Sequence, residues 1–139
     1  MKTHTFEYSL KELKKAANFI IENAESKIIL FDSAMGMGKT TLIKTLCRVL
    51  GSRDTVTSPT FALVNEYEGT DSKIFHFDLY RIKEEAEAFD IGFEEYLEQD
   101  AWVFIEWPDK ILRLLPDKMT TVQLNETDPA RRILTLKNS

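Results

Sequence analysis

At 139 residues, with 43% hydrophobic and 29% charged residues, the chain has the size and composition of one globular domain, 1–139. Such a domain can bury roughly two-thirds of the surface its unfolded form exposes. The 23 acidic against 18 basic residues give a formal net charge of −5, which argues against a protein that grips nucleic acid by itself, because phosphate neutralisation needs a basic surface.

A single cysteine, Cys47, excludes an internal disulfide and reads as core filler on a helix. No apolar run reaches membrane-spanning length, and Met1-Lys2-Thr3-His4 carries no secretory h-region, so a soluble cytoplasmic protein is the expectation.

In chain order, residues 4–8 read as a short strand. Ser9-Leu10-Lys11-Glu12 then has the S-x-x-E form of a capping box. Leu10, Leu13, Ala17, Ile20, Ile21 and Ala24 follow helical spacing to an end near Asn23. Ile28 to Phe31 is a continuous apolar run, short enough for a strand buried on both faces.

The next stretch organises the rest. After the apolar run comes Ser33-Ala34-Met35-Gly36-Met37-Gly38-Lys39-Thr40-Thr41, followed by a helical stripe of Leu42, Ile43, Leu46, Cys47, Val49 and Leu50 that Gly51 ends. Strand, glycine-punctuated loop and Lys-Thr at a helix start together predict a phosphate cradle. Successive backbone N–H groups and the positive end of the helix dipole favour an anion there. Gly36, Met37, Gly38, Lys39, Thr40 and Thr41 are its expected residues, with Lys39 reaching the β/γ-phosphates and the Thr40 hydroxyl ligating Mg²⁺. Against the pattern G-x-x-x-x-G-K-[ST], Ser33 stands where the first glycine belongs. If that position requires positive φ, serine costs about 1 kcal/mol or more there.

Residues 54–57 read as a brief extension, and Thr57-Ser58-Pro59-Thr60 sits where a nucleotide-sensing switch lies in GTPases. Thr60 is therefore a candidate contact to Mg²⁺ or the γ-phosphate, with a plain proline turn as the alternative. Thr60 to Tyr67 and Lys73 to Tyr80 form a hairpin signal around Glu68-Gly69-Thr70-Asp71-Ser72. On the second strand, Phe75, Phe77 and Leu79 point one way and His76, Asp78 and Tyr80 the other. Residues 83–98 read as a helix broken at Gly92, with Phe89, Phe93, Tyr96 and Leu97 as its buried side. Eight acidic residues and no Lys or Arg fall between Glu84 and Asp100, which reads as a solvated face or a docking surface for a basic partner.

Ala101 to Ile105 is a second buried-strand run, and it ends in Glu106-Trp107-Pro108. A carboxylate at the end of an apolar strand is expensive to bury without a partner or metal. In open α/β sheets ligands bind at the carboxyl ends of strands, so Glu106 and the loop are expected to converge. Glu106 is assigned to Mg²⁺ with Thr40, and Asp78 to orienting the attacking water or the metal shell; turn capping is the bland alternative for Asp78. His76 reads as structural before catalytic, and Arg81 as a surface ion pair. Pro108 suits the first position of a helix with Ile111, Leu112 and Leu115 on its apolar face, ended by Pro116. Thr120 to Leu124 and Arg132 to Leu136 read as a closing strand pair. The fold class expected is α/β: a P-loop NTPase-like three-layer fold with a mixed, mainly parallel central sheet and an antiparallel hairpin after the loop helix. The absence of an N-K-x-D-like motif favours adenine over guanine.

Taken together, G-M-G-K-T-T (36–41), S-P-T-F-A-L-V-N-E-Y (58–67), H-F-D-L-Y-R (76–81) and I-E-W-P (105–108) closely resemble the TsaE family of small bacterial P-loop ATPases. The resemblance runs from Ser9 through Pro108. It implies ATP and Mg²⁺ as cofactors, Thr40 and Glu106 as metal-holding residues, and a hydrolytic role for Asp78. More loosely, it implies a nucleotide-side hydroxyl at Ser9 and a nucleotide-side Arg at Arg131 or Arg132. The implied partners are TsaD and TsaB, with tRNA reached only through that complex and no membrane involved. The implied role is formation of threonylcarbamoyladenosine at position 37 of tRNAs reading ANN codons, with ATP hydrolysis resetting the pair. Family members usually read G-D-L-G-A-G-K-T where this chain reads S-A-M-G-M-G-K-T. A nucleotide-binding scaffold with little hydrolysis and a small-molecule phosphotransferase are the competing readings.

Overall fold

The computed structural model describes residues 2–33, 38–53, 63–80 and 82–139. The expected extension at 54–57 and the candidate residues Gly36, Met37, Thr60 and Arg81 lie outside the described residues.

The elements are β1 (Lys2–Ser9), α1 (Leu13–Asn23), β2 (Ile28–Phe31), α2 (Lys39–Val49), β3 (Val64–Glu68), β4 (Lys73–Asp78), α3 (Glu85–Asp90), α4 (Phe93–Leu97), β5 (Trp102–Glu106), β6 (Thr120–Asp128) and β7 (Arg131–Asn138). Among the described residues the strands form a seven-stranded sheet in the order β1-β7-β6-β2-β5-β4-β3. β6, β2, β5 and β4 run parallel at its centre. The β3–β4 hairpin closes one edge, and β6–β7–β1 continues antiparallel to the other. This is the mixed P-loop-type sheet the motifs lead one to expect.

Helices cover both faces. Residues of α1 and α2 (Ala16, Ala17, Ile20, Leu42, Ile43, Leu46, Cys47) pack with Ile29, Phe31, Ile74 and Phe104 in one core. On the other face Leu30, Phe75, Phe77, Val103 and Ile105 pack with Ala88, Phe93 and Ile111. Strands β2 and β5 are apolar on both sides up to Glu106 because both sides are covered, whereas β4 puts His76 and Asp78 on the α1–α2 side.

Local signals explain several boundaries. The Ser9–Glu12 capping box forms, with Ser9 N donating to Glu12 Oε1 at 3.0 Å, although the first turn, Leu10–Glu12, is 3₁₀ before α1 begins. Gly51 takes a φ of 98° after α2, and a Cβ there would collide with Thr70.

Two expectations fail. Phe89 is 62% exposed, because Gly92, at φ 79°, divides the acidic segment into two short helices with different phases. Ala88 is buried in its place, while Phe93 is buried as expected and Tyr96 and Leu97 partly so. After Pro108 there is no α-helix but two 3₁₀ turns, Pro108–Lys110 and Leu112–Leu114. Ile111 between them is buried, whereas Leu112 is 58% exposed.

Candidate functional site

The parallel register brings the chemistry to one sheet end. Phe31, the last residue of β2, pairs with Glu106, the last of β5, and Asp78, the last of β4, pairs with Glu106 from the other side. The chain leaves β2 into the glycine loop and returns as α2 with Gly38 at φ 84°, so Lys39 and Thr40 open the helix beside these carboxylates. Convergence of Lys39, Thr40, Asp78 and Glu106 was foreseeable from strand ends alone.

Glu106 is 3% exposed. Its Oε1 accepts from Thr40 Oγ1 at 3.4 Å, and its Oε2 lies 2.6 Å from His76 Nε2 on the neighbouring strand. His76 is itself fully buried. Lys39 is buried too; its Nζ donates to the Ser33 carbonyl at 2.7 Å and sits 3.6 Å from the centre of the Trp107 ring. Burial pulls the Lys39 ammonium below its ordinary pKa, opposed by Glu106, Asp78, Asp32 and Asp109. The cation–π contact restores part of what desolvation costs, on the order of 1 kcal/mol.

Trp107 reaches that position through a left-handed backbone, φ 58°, which among the described residues no other non-glycine shares in sign. The following Pro108 disfavours the right-handed helical alternative. Tyr80, 5.0 Å away, packs its ring on the indole.

Asp78 is partly buried at the rim, and its Oδ1 accepts from Tyr80 N at 3.1 Å. The turn-capping bond is therefore present, and it leaves Oδ2 for other work. Burial raises the Asp78 pKa, countered by the Tyr80 N–H bond; the Glu106 charge adds to the rise, while His76 and Lys39 oppose it.

Ser33 is not in the left-handed region, so the feared backbone cost does not arise. Its hydroxyl accepts from Leu124 N at 2.5 Å, just beyond the Asp32 N to Val122 O bond of 3.0 Å. Serine thus extends the β2–β6 ladder into the loop, while its carbonyl holds Lys39. Sequence reasoning had no means of seeing that acceptor, because its partner lies on a strand 91 residues away. The His76–Glu106 contact is non-local in the same way: the sequence shows which face His76 takes but not the neighbour it meets.

Thr41 is exposed on the first turn of α2. Ser9, Arg131 and Arg132 lie at the same sheet end but two and three strands from β2, with Ser9 paired to Arg131 and Tyr8 to Arg132. Arg131 Nε donates to Glu7 Oε1 at 2.9 Å, and its guanidinium also lies 3.8 Å from Glu12. Arg132 lies 3.9 Å from Glu126.

Thr40 Oγ1 and Glu106 Oε1 are hard oxygen donors close enough to share one small cation. Mg²⁺ characteristically takes one or two protein oxygens and completes its shell with phosphate and water. Among the described residues no group of three or more His, Cys, Asp or Glu side chains could hold a metal ion by itself. The donor set fits a nucleotide-borne Mg²⁺.

A family model, threonylcarbamoyl adenosine biosynthesis protein TsaE, matches residues 7–134. The chain belongs to the TsaE family. It is 34% identical over 122 residues to the tRNA threonylcarbamoyladenosine biosynthesis protein TsaE of Haemophilus influenzae, covering 86% of this chain and 77% of that one. The TsaE of Rickettsia typhi is 34% identical over 134 residues, 93% and 90% of the two chains. That of Bacillus subtilis is 30% identical over 108 residues, 78% and 67%. The crystal structure of Bacillus subtilis YdiB superposes with a TM-score of 0.76 over 97% of this chain and 84% of that chain, at 23% identity, and so shares the fold. The TsaE family works in the biosynthesis of threonylcarbamoyladenosine in tRNA. No helix among the described residues is long and apolar enough to cross a membrane.

Proposed function

We propose that this member of the TsaE family is a Mg²⁺-dependent ATP hydrolase that supports threonylcarbamoyladenosine formation at position 37 of tRNAs reading ANN codons. It binds the TsaB–TsaD pair in the cytoplasm and resets that pair by hydrolysis, meeting tRNA only through the complex. The observation that carries the reading is the meeting of Lys39, Thr40, Asp78 and Glu106 at the carboxyl ends of three adjacent parallel strands.

In this reading the loop and helix start, Gly36 to Thr41, cradle the phosphates. Lys39 exchanges the Ser33 carbonyl for phosphate oxygens while Trp107 shields its stem from water. Thr40 and Glu106 would hold Mg²⁺, which would supply positive charge to offset that of the phosphates. Asp78, ionised, uses its second oxygen to orient the attacking water; Thr60 is assigned to the phosphate side of the same site. Ser9 and Arg131 or Arg132 border the nucleotide from the antiparallel flank, where an arginine would have to exchange a carboxylate for it.

Single-turnover phosphate release from ATP, with and without Mg²⁺, tests this. Wild type should release phosphate only with the metal, and Lys39→Ala should bind nucleotide about 10- to 150-fold more weakly. Tight nucleotide binding without release would make the chain a scaffold, and label leaving on an acceptor other than water would make it a phosphotransferase.

A further inference from the structure

We propose that His76 is a positioning residue that fixes the Glu106 carboxylate for metal binding, an inference that rests on the Mg²⁺-dependent reading above. Parallel pairing sets His76 opposite Phe104 and Asp78 opposite Glu106, so both buried side chains leave adjacent strands toward α2. The 2.6 Å contact is short for a nitrogen–oxygen pair, as expected when the acceptor is charged. A carboxylate can only accept, so His76 Nε2 carries the proton and donates to Oε2.

That assignment divides the two oxygens of Glu106. Oε2 is held by β4 through His76, and Oε1 faces Thr40 on α2 at 3.4 Å. The short bond to His76 restrains rotation of the carboxyl plane, and Oε1 is presented beside the Thr40 hydroxyl. His76 Nδ1 is buried with no hydrogen-bond partner among the described residues. A histidine that served only to fill the core would be replaceable by an apolar side chain without that cost. Among the described residues the one bond it makes is the Nε2 contact to Glu106.

The first measurement leaves His76 itself unchanged. Long-range proton–nitrogen NMR of the wild-type protein, with His4→Gln to identify the His76 signal, should show Nε2 protonated; an unprotonated Nε2 would overturn the proposal. The second reads metal affinity by Mn²⁺ electron paramagnetic resonance on the ADP-loaded protein. His76→Leu should weaken Mn²⁺ by about 10- to 100-fold. ADP affinity measured in EDTA should stay unchanged. His76→Gln, which returns a donor at the Nε2 distance, should recover most of the loss, and His76→Asn, whose donor falls short, should not. Unchanged Mn²⁺ affinity in His76→Leu, or equal recovery by Asn and Gln, would sink the positioning role while leaving the proposed function standing. Wild-type protein with no Mn²⁺ binding in the presence of ADP would overturn both.

Discussion

The two faces of the central sheet are built from the same strands and differ in what they bury. The face under α3 and α4 is wholly apolar at its centre, with Phe77 against the rings of Phe93 and Tyr96 at 4.9 and 5.3 Å. The face under α1 and α2 also holds a buried apolar cluster, yet toward the carboxyl ends of the strands it admits Lys39, His76 and Glu106. Buried ionisable groups cost several kcal/mol each unless paired, so a fold selected for stability alone would build both faces like the first. Apolar packing and the ionisable side chains of the proposed site are divided between the two sides of the sheet.

The sharpest way to break this contrast is at Asp78. Asp78→Asn keeps the acceptor for Tyr80 N but loses the charge, so turnover should fall about 100- to 10,000-fold with nucleotide affinity unchanged. Equal turnover would remove Asp78 from the reaction. Because burial raises its pKa, the acid limb of the turnover profile should lie above the ordinary Asp value of 3.8. The stability effect has the opposite sign: a raised carboxylate pKa adds stability that is full below 3.8 and is lost as pH rises through the folded value. Wild-type melting should therefore lose, relative to Asp78→Asn, as pH climbs through that limb.

Phe77→Ala probes the apolar face. Denaturant unfolding should show a loss of about 3–5 kcal/mol, with nucleotide affinity of the folded fraction unaltered. Lys39→Ala should do the reverse. Nucleotide affinity falls by about 1.5–3 kcal/mol, the worth of charge-assisted bonds to phosphate, while thermal stability holds or rises because a buried cation is gone. If either substitution moved both quantities together, the division between the faces would be wrong.

The smallest effect is expected at Ser33. Ser33→Gly restores the usual first glycine of the loop but deletes the acceptor for Leu124 N, and should cost about 1 kcal/mol of stability. A gain in stability would mean that serine there is only a tolerated departure.

What was legible in the sequence follows the range of the interactions. Ile28–Phe31 was readable as a buried strand because its apolar run, its length and the loop after it are all local. Glu106 stood out because a carboxylate ending an apolar strand needs a reason. Phe89 was misplaced because one left-handed glycine, Gly92, re-phases everything before it, and periodicity does not report φ. The apolar spacing after Pro108 predicts a helix. The eight residues from Pro108 to Leu115 hold two 3₁₀ turns instead. The tie between His76 and Glu106 spans 30 residues and the Ser33–Leu124 bond 91; both depend on which strands become neighbours, a property of the finished sheet.

ATP hydrolysis by the full chain, with Mg²⁺, measured alone and with the TsaB–TsaD pair, tests the central claim most directly. Turnover should be slow alone, rise when the pair is added, and vanish when Mg²⁺ is chelated. No Mg²⁺-dependent turnover in the presence of the pair would contradict it.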